Sequence, residues 1–218
     1  QRRQCRGIIL LRDQKKDEVS LKRTGDHMET KSTLDFLAEA GMLKRIKRSG
    51  WWMVGVPYEE SVAEHSFRCA VIAYILARME GVEPYKAIVM GLFGDIPEAR
   101  INDLHKVANR YLDGRTAEKT AYREQIELLE EGLKTELQEL RNEYDDQSTA
   151  GSIIARDADI LECLLQAKEY CDLGFKTAEK FFKSAPEKLR TEAARQLWDD
   201  MQSWDSSVWW ERLGRFER

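Results

Sequence analysis

His65, Asp95 and Asp159 place one imidazole and two carboxylates in otherwise apolar stretches of this chain. A catalytic metal needs a few side-chain ligands, with positions left open for water and substrate. Two carboxylates would offset the charge of a divalent ion in a buried site. Asp95 follows the apolar run Gly91-Leu92-Phe93-Gly94, with Glu98 three residues further on. Burying an acid there is costly unless it is paired or bound to metal. Ordinary roles compete with this reading. A single helix histidine is usually a surface or core residue, and a single aspartate near a helix terminus is usually a cap. Asp157 rivals Asp159, and spacing does not choose between them.

The elements that must position these residues read as helices. Thr33 can cap a helix carrying Leu34, Leu37, Leu43 and Ile46, with the basic run 44–48 at its end and Ser49-Gly50 as its stop. Trp51 to Pro57 reads as an irregular loop, in which one tryptophan packs under the loop or lines a pocket. Ser61-x-x-Glu64 is a capping box for a helix over 62–80, with Ala63, Phe67, Ala70, Val71, Ala73 and Leu76 among its apolar positions. The helix over 84–94 is apolar nearly all round and should be central and buried. Ile96-Pro97-Glu98 breaks the helix and restarts it, and His105 falls on the exposed side of the restarted helix.

Residues 116–145 suggest one long charged helix. Ile126, Leu129, Leu133, Leu137, Leu140 and Tyr144 form a narrow seam on it, suited to the domain's own core or to a second subunit. Ser152 is a cap for a helix over 153–172, which places Asp159, Glu162, Cys163 and Gln166 on one connected face. Helices over 175–183 and 186–204 come next, and Trp209-Trp210 is apolar enough to dock. There is no alternating strand pattern and no internal repeat, so the fold class is all-α.

A chain of 218 residues can bury a sizeable core. With 34% charged residues and a net charge of −4, composition argues against a nucleic acid polymer or an anionic membrane as partner. No apolar run reaches the roughly 20 residues of a membrane span. Cys5, Cys69, Cys163 and Cys171 form no CxxC pair, which suits reduced thiols in a cytoplasmic protein. Residues 1–27 carry eight Lys/Arg and match the rest poorly. They read as a basic N-terminal extension or an artificial remnant, with Met28 as a plausible natural start. Residues 28–218 read as a single domain.

Four stretches in order, Ser61-Val62-Ala63-Glu64-His65-Ser66-Phe67, Gly91 to Ala99, Asp103-Leu104 and Ala158-Asp159, resemble the HD-domain metal-dependent phosphohydrolases, and most closely their 5′-deoxynucleotidase-like subgroup. The resemblance spans about residues 33–183. It implies an all-helical HD-domain bundle, usually a homodimer, which hydrolyses deoxynucleoside 5′-monophosphates. It also implies a divalent ion (Mn, Co or Mg, with Zn or Ni as alternatives) held by His65, Asp95 and Asp159, the last in preference to Asp157. Glu98 matches the acid acting at the reacting water or leaving group, and Asp103 a pocket acid. Arg48 and Trp51 fall near a basic and aromatic pair lining the nucleotide pocket.

One position departs from the pattern. Gly94 stands where the family carries a ligating histidine, and His105 and His27 are no substitutes. An oxygen-rich remainder should lose more affinity for Zn, Co or Ni than for Mn or Mg. Two other readings stay open: a phosphohydrolase of triphosphates or other nucleotides, and a catalytically silent nucleotide-binding dimer.

Overall fold

The computed structural model describes residues 27–183, 186–211 and 213–214. Residues 1–26, and with them Cys5 and all of the basic extension but His27, lie outside the described residues. The described elements are α1 (His27–Met42), α2 (Ser49–Met53), α3 (Val62–Met79), α4 (Tyr85–Phe93), α5 (Glu98–Ile101), α6 (Gly114–Ile126), α7 (Glu131–Asp146), α8 (Ala150–Asp172) and α9 (Glu192–Met201), with short 3₁₀ turns at Ala108–Arg110, Lys176–Lys183 and Pro186–Lys188. The only β pairing among the described residues is one bridge, Lys47 to Ser61. No helix of the described residues is long and apolar enough to cross a membrane.

The main core forms where α3, α4, α8 and α9 meet. Ala73, Ala77, Ala87, Ala158 and Ala194 are fully buried there and let the helices approach closely, while Leu76, Ile154, Leu161 and Leu164 fill the remaining space. Gly91 lies where α4 crosses α3. A Cβ at Gly91 would sit 3.4 Å from the Cys69 carbonyl carbon and 3.5 Å from the Ala70 nitrogen.

The predicted capping box forms at the start of α3. The Glu64 N–H donates to the Ser61 hydroxyl, and the Ser61 N–H donates to the Glu64 carboxylate at 2.6 Å. The buried face of α3 is Val62, His65, Ser66, Cys69, Ala73, Leu76 and Ala77. His65 therefore lies in phase with the core, whereas Phe67 and Val71, expected inside, are exposed.

Several expectations need correction. α1 begins at His27, so Thr33 lies inside it, and it ends at Met42 before the basic run. Ser49-Gly50 opens α2 rather than stopping a helix, and Trp51 and Trp52 are helical. α4 is buried only at Ala87 and Met90, because α3, α8 and α7 cover one side of it; Leu92 on the other side is exposed. Residues 102–107 are not helical.

The long helix over 116–145 is two. The Glu130 carboxylate accepts from the Gly132 and Leu133 N–H groups and starts α7 anew. α7 then folds back along α6, with Tyr122, Ile126 and Leu137 in one cluster, so most of the seam packs within the chain and Leu133 is exposed. Thr149, not Ser152, caps α8, and Ser152 reciprocates as its box partner. The 175–183 helix is 3₁₀, and the helix expected over 186–204 is a 3₁₀ turn followed by α9. Trp209 and Trp210 remain exposed instead of docking.

Candidate metal centre and nucleotide cleft

His65 sits in the second turn of α3 with only 1% of its surface exposed. Its Nδ1 hydrogen-bonds the Glu162 carboxylate of α8, which is itself fully buried. The other Glu162 oxygen accepts from Arg68 Nε at 2.9 Å, and Arg68 continues to Glu169 and Gln166. A carboxylate on one ring nitrogen fixes the orientation of the imidazole and leaves the other nitrogen to ligate. That other nitrogen, Nε2, lies 3.4 Å from Asp95 Oδ2 and 3.2 Å from Asp159 Oδ1. α3, the end of α4 and α8 thus bring the three sequence-predicted ligands together.

Asp157, two residues before Asp159 on α8, faces elsewhere. It accepts from the Arg190 N–H and from both the N–H and hydroxyl of Thr191, so it ties α8 to the start of α9.

Charge is dense here. Arg48 Nη1 lies 3.5 Å from Asp95 and its Nε 3.9 Å from Asp103. Arg156 lies 2.7 Å from Asp159. Burial opposes the charge on Asp159, but His65, Arg156 and Arg48 outweigh it and hold the carboxyl well below its ordinary range. Burial likewise opposes the Arg48 cation and is outweighed by Asp95, Asp103 and Asp159. Burial and Arg48 oppose a charge on His65, yet Cys69 and Asp159 raise its pKa well above that of ordinary imidazole. Glu98 behaves oppositely. Burial first, then the neighbouring Asp95 and Asp103, push its carboxyl well up, and its Oε2 is buried without a hydrogen-bond partner.

These donors suit a divalent ion. Each carboxylate oxygen lies 3.2–3.4 Å from Nε2, a separation that an ion about 2.0–2.2 Å from that nitrogen and that oxygen would span. The buried, partnerless Glu98 oxygen adds a group held ready for a ligand or water. Within a mutual distance of 4.8 Å the donor set is His65, Cys69 and Glu162, while Asp95 and Asp159 are each shared with an arginine. Gly94 has helical backbone (φ −54°, ψ −44°), so its conformation does not demand glycine. Its Cβ would lie 3.0 Å from the Met90 carbonyl oxygen, a tight but local contact.

Beside this centre a cleft of about 400 Å³ is lined by Arg48, Trp51, Asp103, Leu104, His105, Cys163 and Phe181, with Lys106, Lys180 and Lys188 also on its wall. Asp103 accepts from the Ser49 N–H at 2.8 Å and so pins the start of α2. Trp51 is buried to 1% exposure. It packs on Tyr170 and Phe181, and its Nε1 donates to Glu60 at 2.9 Å. Burial first, then Glu162, raises the Glu60 carboxyl to about 7. Both sequence alternatives for Trp51 therefore hold, since it packs under its segment and also borders the cleft. His105 is half-buried on the cleft wall, where its Nδ1 accepts from the Ala108 N–H, not exposed on a helix. Sequence reasoning missed the partnership of Glu162 with His65 and the three cleft lysines. Glu162 could be placed on the right face of α8, but its partner lies 97 residues away.

An all-helical bundle whose central helices converge a histidine and two aspartates beside a polar-rimmed cleft defines a histidine–carboxylate class of helical protein. The model of the HD domain matches residues 40–202. The human 5′-deoxynucleotidase HDDC2 is 31% identical over 176 residues, covering 79% of this chain and 86% of that protein. Its Xenopus laevis counterpart is 35% identical over 144 residues, covering 66% and 71%. Among solved structures, a conserved hypothetical protein from Pyrococcus furiosus superposes with a TM-score of 0.66 at 35% identity, covering 78% of this chain and 98% of that one. The PH0347 protein from Pyrococcus horikoshii gives 0.65 at 30% identity, covering 78% and 96%. The chain belongs to the HD-domain family.

Proposed function

We propose that this chain is a divalent-metal-dependent phosphohydrolase that releases phosphate from deoxynucleoside 5′-monophosphates. The observation that carries the reading is the approach of Asp95 and Asp159 to the Nε2 face of His65 beside a cleft of nucleotide size. Relatives bearing the name 5′-deoxynucleotidase support the substrate class.

His65, Asp95 and Asp159 would hold the ion, with Mn or Mg losing less affinity than Zn, Co or Ni if only nitrogen and oxygen donors bind. When bound, the ion supplies Lewis acidity toward a phosphate oxygen and acidifies water. Glu162 fixes the His65 ring. Glu98, whose carboxyl pKa burial and the neighbouring Asp95 and Asp103 push up, would give a proton to the departing oxygen or exchange one with the attacking water. Arg48 offers paired guanidinium hydrogen bonds to phosphate. Asp103 holds the segment that carries Arg48. A wall that includes Trp51 would leave a ribose 2′-hydroxyl unsatisfied and so favour the deoxy sugar.

A second copy of the chain is the expected partner. Phe67, Val71, Ile75 and Met79 are exposed at every fourth position of α3, a continuous apolar stripe of the kind that marks protein contacts. Three free cysteines suit a cytoplasmic setting.

Gly94 favours a second reading, a nucleotide-binding dimer that no longer turns over or acts on triphosphates or other nucleotides. Phosphate release from a panel of deoxy- and ribonucleoside 5′-monophosphates with Mn²⁺, Co²⁺ or Mg²⁺ tests both, run beside Gly94→His. Release by either protein supports the proposal. Silence from both, or release of triphosphate from nucleoside triphosphates alone, overturns it.

A further inference from the structure

Cys69 stands one helical turn beyond His65 on the buried face of α3, so the two side chains share that face. Its Sγ lies 3.4 Å from His65 Nε2 and 3.9 Å from Nδ1. Glu162 already engages Nδ1, so the sulfur is nearer the nitrogen left free to ligate. Three atoms on different chain positions therefore lie at similar distances from Nε2: Asp95 Oδ2 at 3.4 Å, Asp159 Oδ1 at 3.2 Å and Cys69 Sγ at 3.4 Å.

An ion about 2.05 Å from an imidazole nitrogen and about 2.3 Å from a thiolate, with a near-tetrahedral angle, separates those two atoms by about 3.5 Å. The observed sulfur–nitrogen separation is close to that value, and because the sulfur stands beside the ring, 3.9 Å from Nδ1, a rotation of the Cys69 side chain, with no shift of α3, would bring it before Nε2. His65, Cys69 and Glu162 form a compact donor cluster within 4.8 Å, with Glu162 on the Nδ1 side of the ring. Gly94 brings no donor to the same centre.

We propose that Cys69 is a metal ligand in this chain and makes up, from within α3, for the side chain that Gly94 lacks. The inference rests on the metal-dependent reading above. On binding, the S–H bond breaks, the proton passes to solvent and an S–metal bond forms, with no change of oxidation state. A thiolate among the donors shifts preference toward Zn²⁺ and Co²⁺ and away from Mn²⁺ and Mg²⁺, the reverse of what an oxygen-rich set would show.

The test is spectroscopic. The full chain is stripped with chelator and titrated with Co²⁺, and its visible ligand-field bands and near-ultraviolet sulfur-to-cobalt charge-transfer band are recorded. Cys69→Ser, Cys163→Ser and Gly94→His are titrated in parallel. X-ray absorption of the zinc-loaded parent needs no variant, so it stands even if Cys69→Ser folds poorly. A sulfur scatterer at about 2.3 Å, with a charge-transfer band lost in Cys69→Ser and kept in Cys163→Ser, supports the assignment. Bound cobalt without that band, or a band lost only in Cys163→Ser, overturns Cys69 as ligand and leaves the metal centre standing. Cobalt bound only by Gly94→His does the same. No binding by either the parent or Gly94→His overturns the metal reading itself.

Discussion

Asp157 and Asp159 are two residues apart on α8, and their amide substitutions should separate folding from metal binding. Asp157 is completely buried. Its oxygens accept from the Arg190 N–H at 3.0 Å, from the Thr191 N–H at 2.7 Å and from the Thr191 hydroxyl at 2.7 Å. Asp157→Asn keeps the shape but turns one acceptor into an NH₂ group facing donors. Hydrogen bonds to a charged group contribute about 1.5–3 kcal/mol each, and a buried polar group left unsatisfied costs about 1–3 kcal/mol. Loss of one such bond, partly relieved by rotation of the hydroxyl, comes to about 2–4 kcal/mol. At about 2–4 °C per kcal/mol for a chain of this size, the melting temperature should fall by roughly 5–15 °C.

Asp159→Asn should behave differently. The Asp159 side chain is 28% exposed and its Arg156 partner 44% exposed, so that ion pair contributes at most about 1 kcal/mol. His65 Nε2 at 3.2 Å adds to it, and the lowered carboxyl pKa gives the sign, a loss of stability at neutral pH. That variant should melt below the parent but fall less than Asp157→Asn, and it should lose metal affinity. Thermal melting by circular dichroism in chelator, with metal titration by calorimetry, reads both effects. The reasoning is refuted if Asp157→Asn melts with the parent, or if Asp159→Asn binds metal as tightly as before.

Glu98→Gln should lower turnover by about 10²–10⁴-fold while metal content is unchanged; equal turnover would remove Glu98 from the mechanism. The same variant carries a pH signature in the metal-free protein. The folded pKa of Glu98 is raised above its ordinary value of 4.5, so its stabilising contribution is complete below that value and is lost as pH rises through the folded pKa. Parent and variant melting temperatures should therefore separate increasingly in the variant's favour with rising pH, and a constant difference would contradict the assignment. Ile75→Glu, on the exposed α3 stripe, should shift sedimentation from dimer to monomer without lowering the melting temperature of the monomer. A parent that sediments as a monomer at all concentrations would leave that stripe without its proposed partner.

Signals contained within a few residues were legible before the fold was known. The Ser61–Glu64 box needs only its own turn, and it forms as read. Pro97 interrupts the chain between α4 and α5 for reasons local to proline. Signals that depend on competition between neighbours were not. Glu130 looks like one more charge in a helix, yet its carboxylate captures two backbone N–H groups and starts α7 afresh. Thr149 is the cap and Ser152 its box partner three residues on, an assignment for which the two hydroxyls offer no distinguishing signal in the sequence.

Apolarity alone does not give the phase of α3, because Phe67 and Val71 are apolar but face outward, while the polar His65 and Ser66 face in. At the centre, helical spacing placed Asp159 and Glu162 on a connected face, but it could not say which acid meets His65 through Nδ1 and which through Nε2. Nor could spacing remove Asp157, whose partners lie 33 and 34 residues downstream.

Gly91 gives the centre a mechanical adjustment separate from its chemistry. At the crossing of α4 on α3 its missing side chain sets how near the two helices lie, and Asp95 rides on the end of α4, one turn beyond. Alanine there would meet the Cys69 carbonyl carbon at 3.4 Å, an ordinary contact, whereas valine or leucine would have to lever α4 outward. Side-chain size at position 91 is thus a dial on the gap between His65 and Asp95. A graded series of residues there would vary the ionic radius that the centre accepts while every donor atom stays the same.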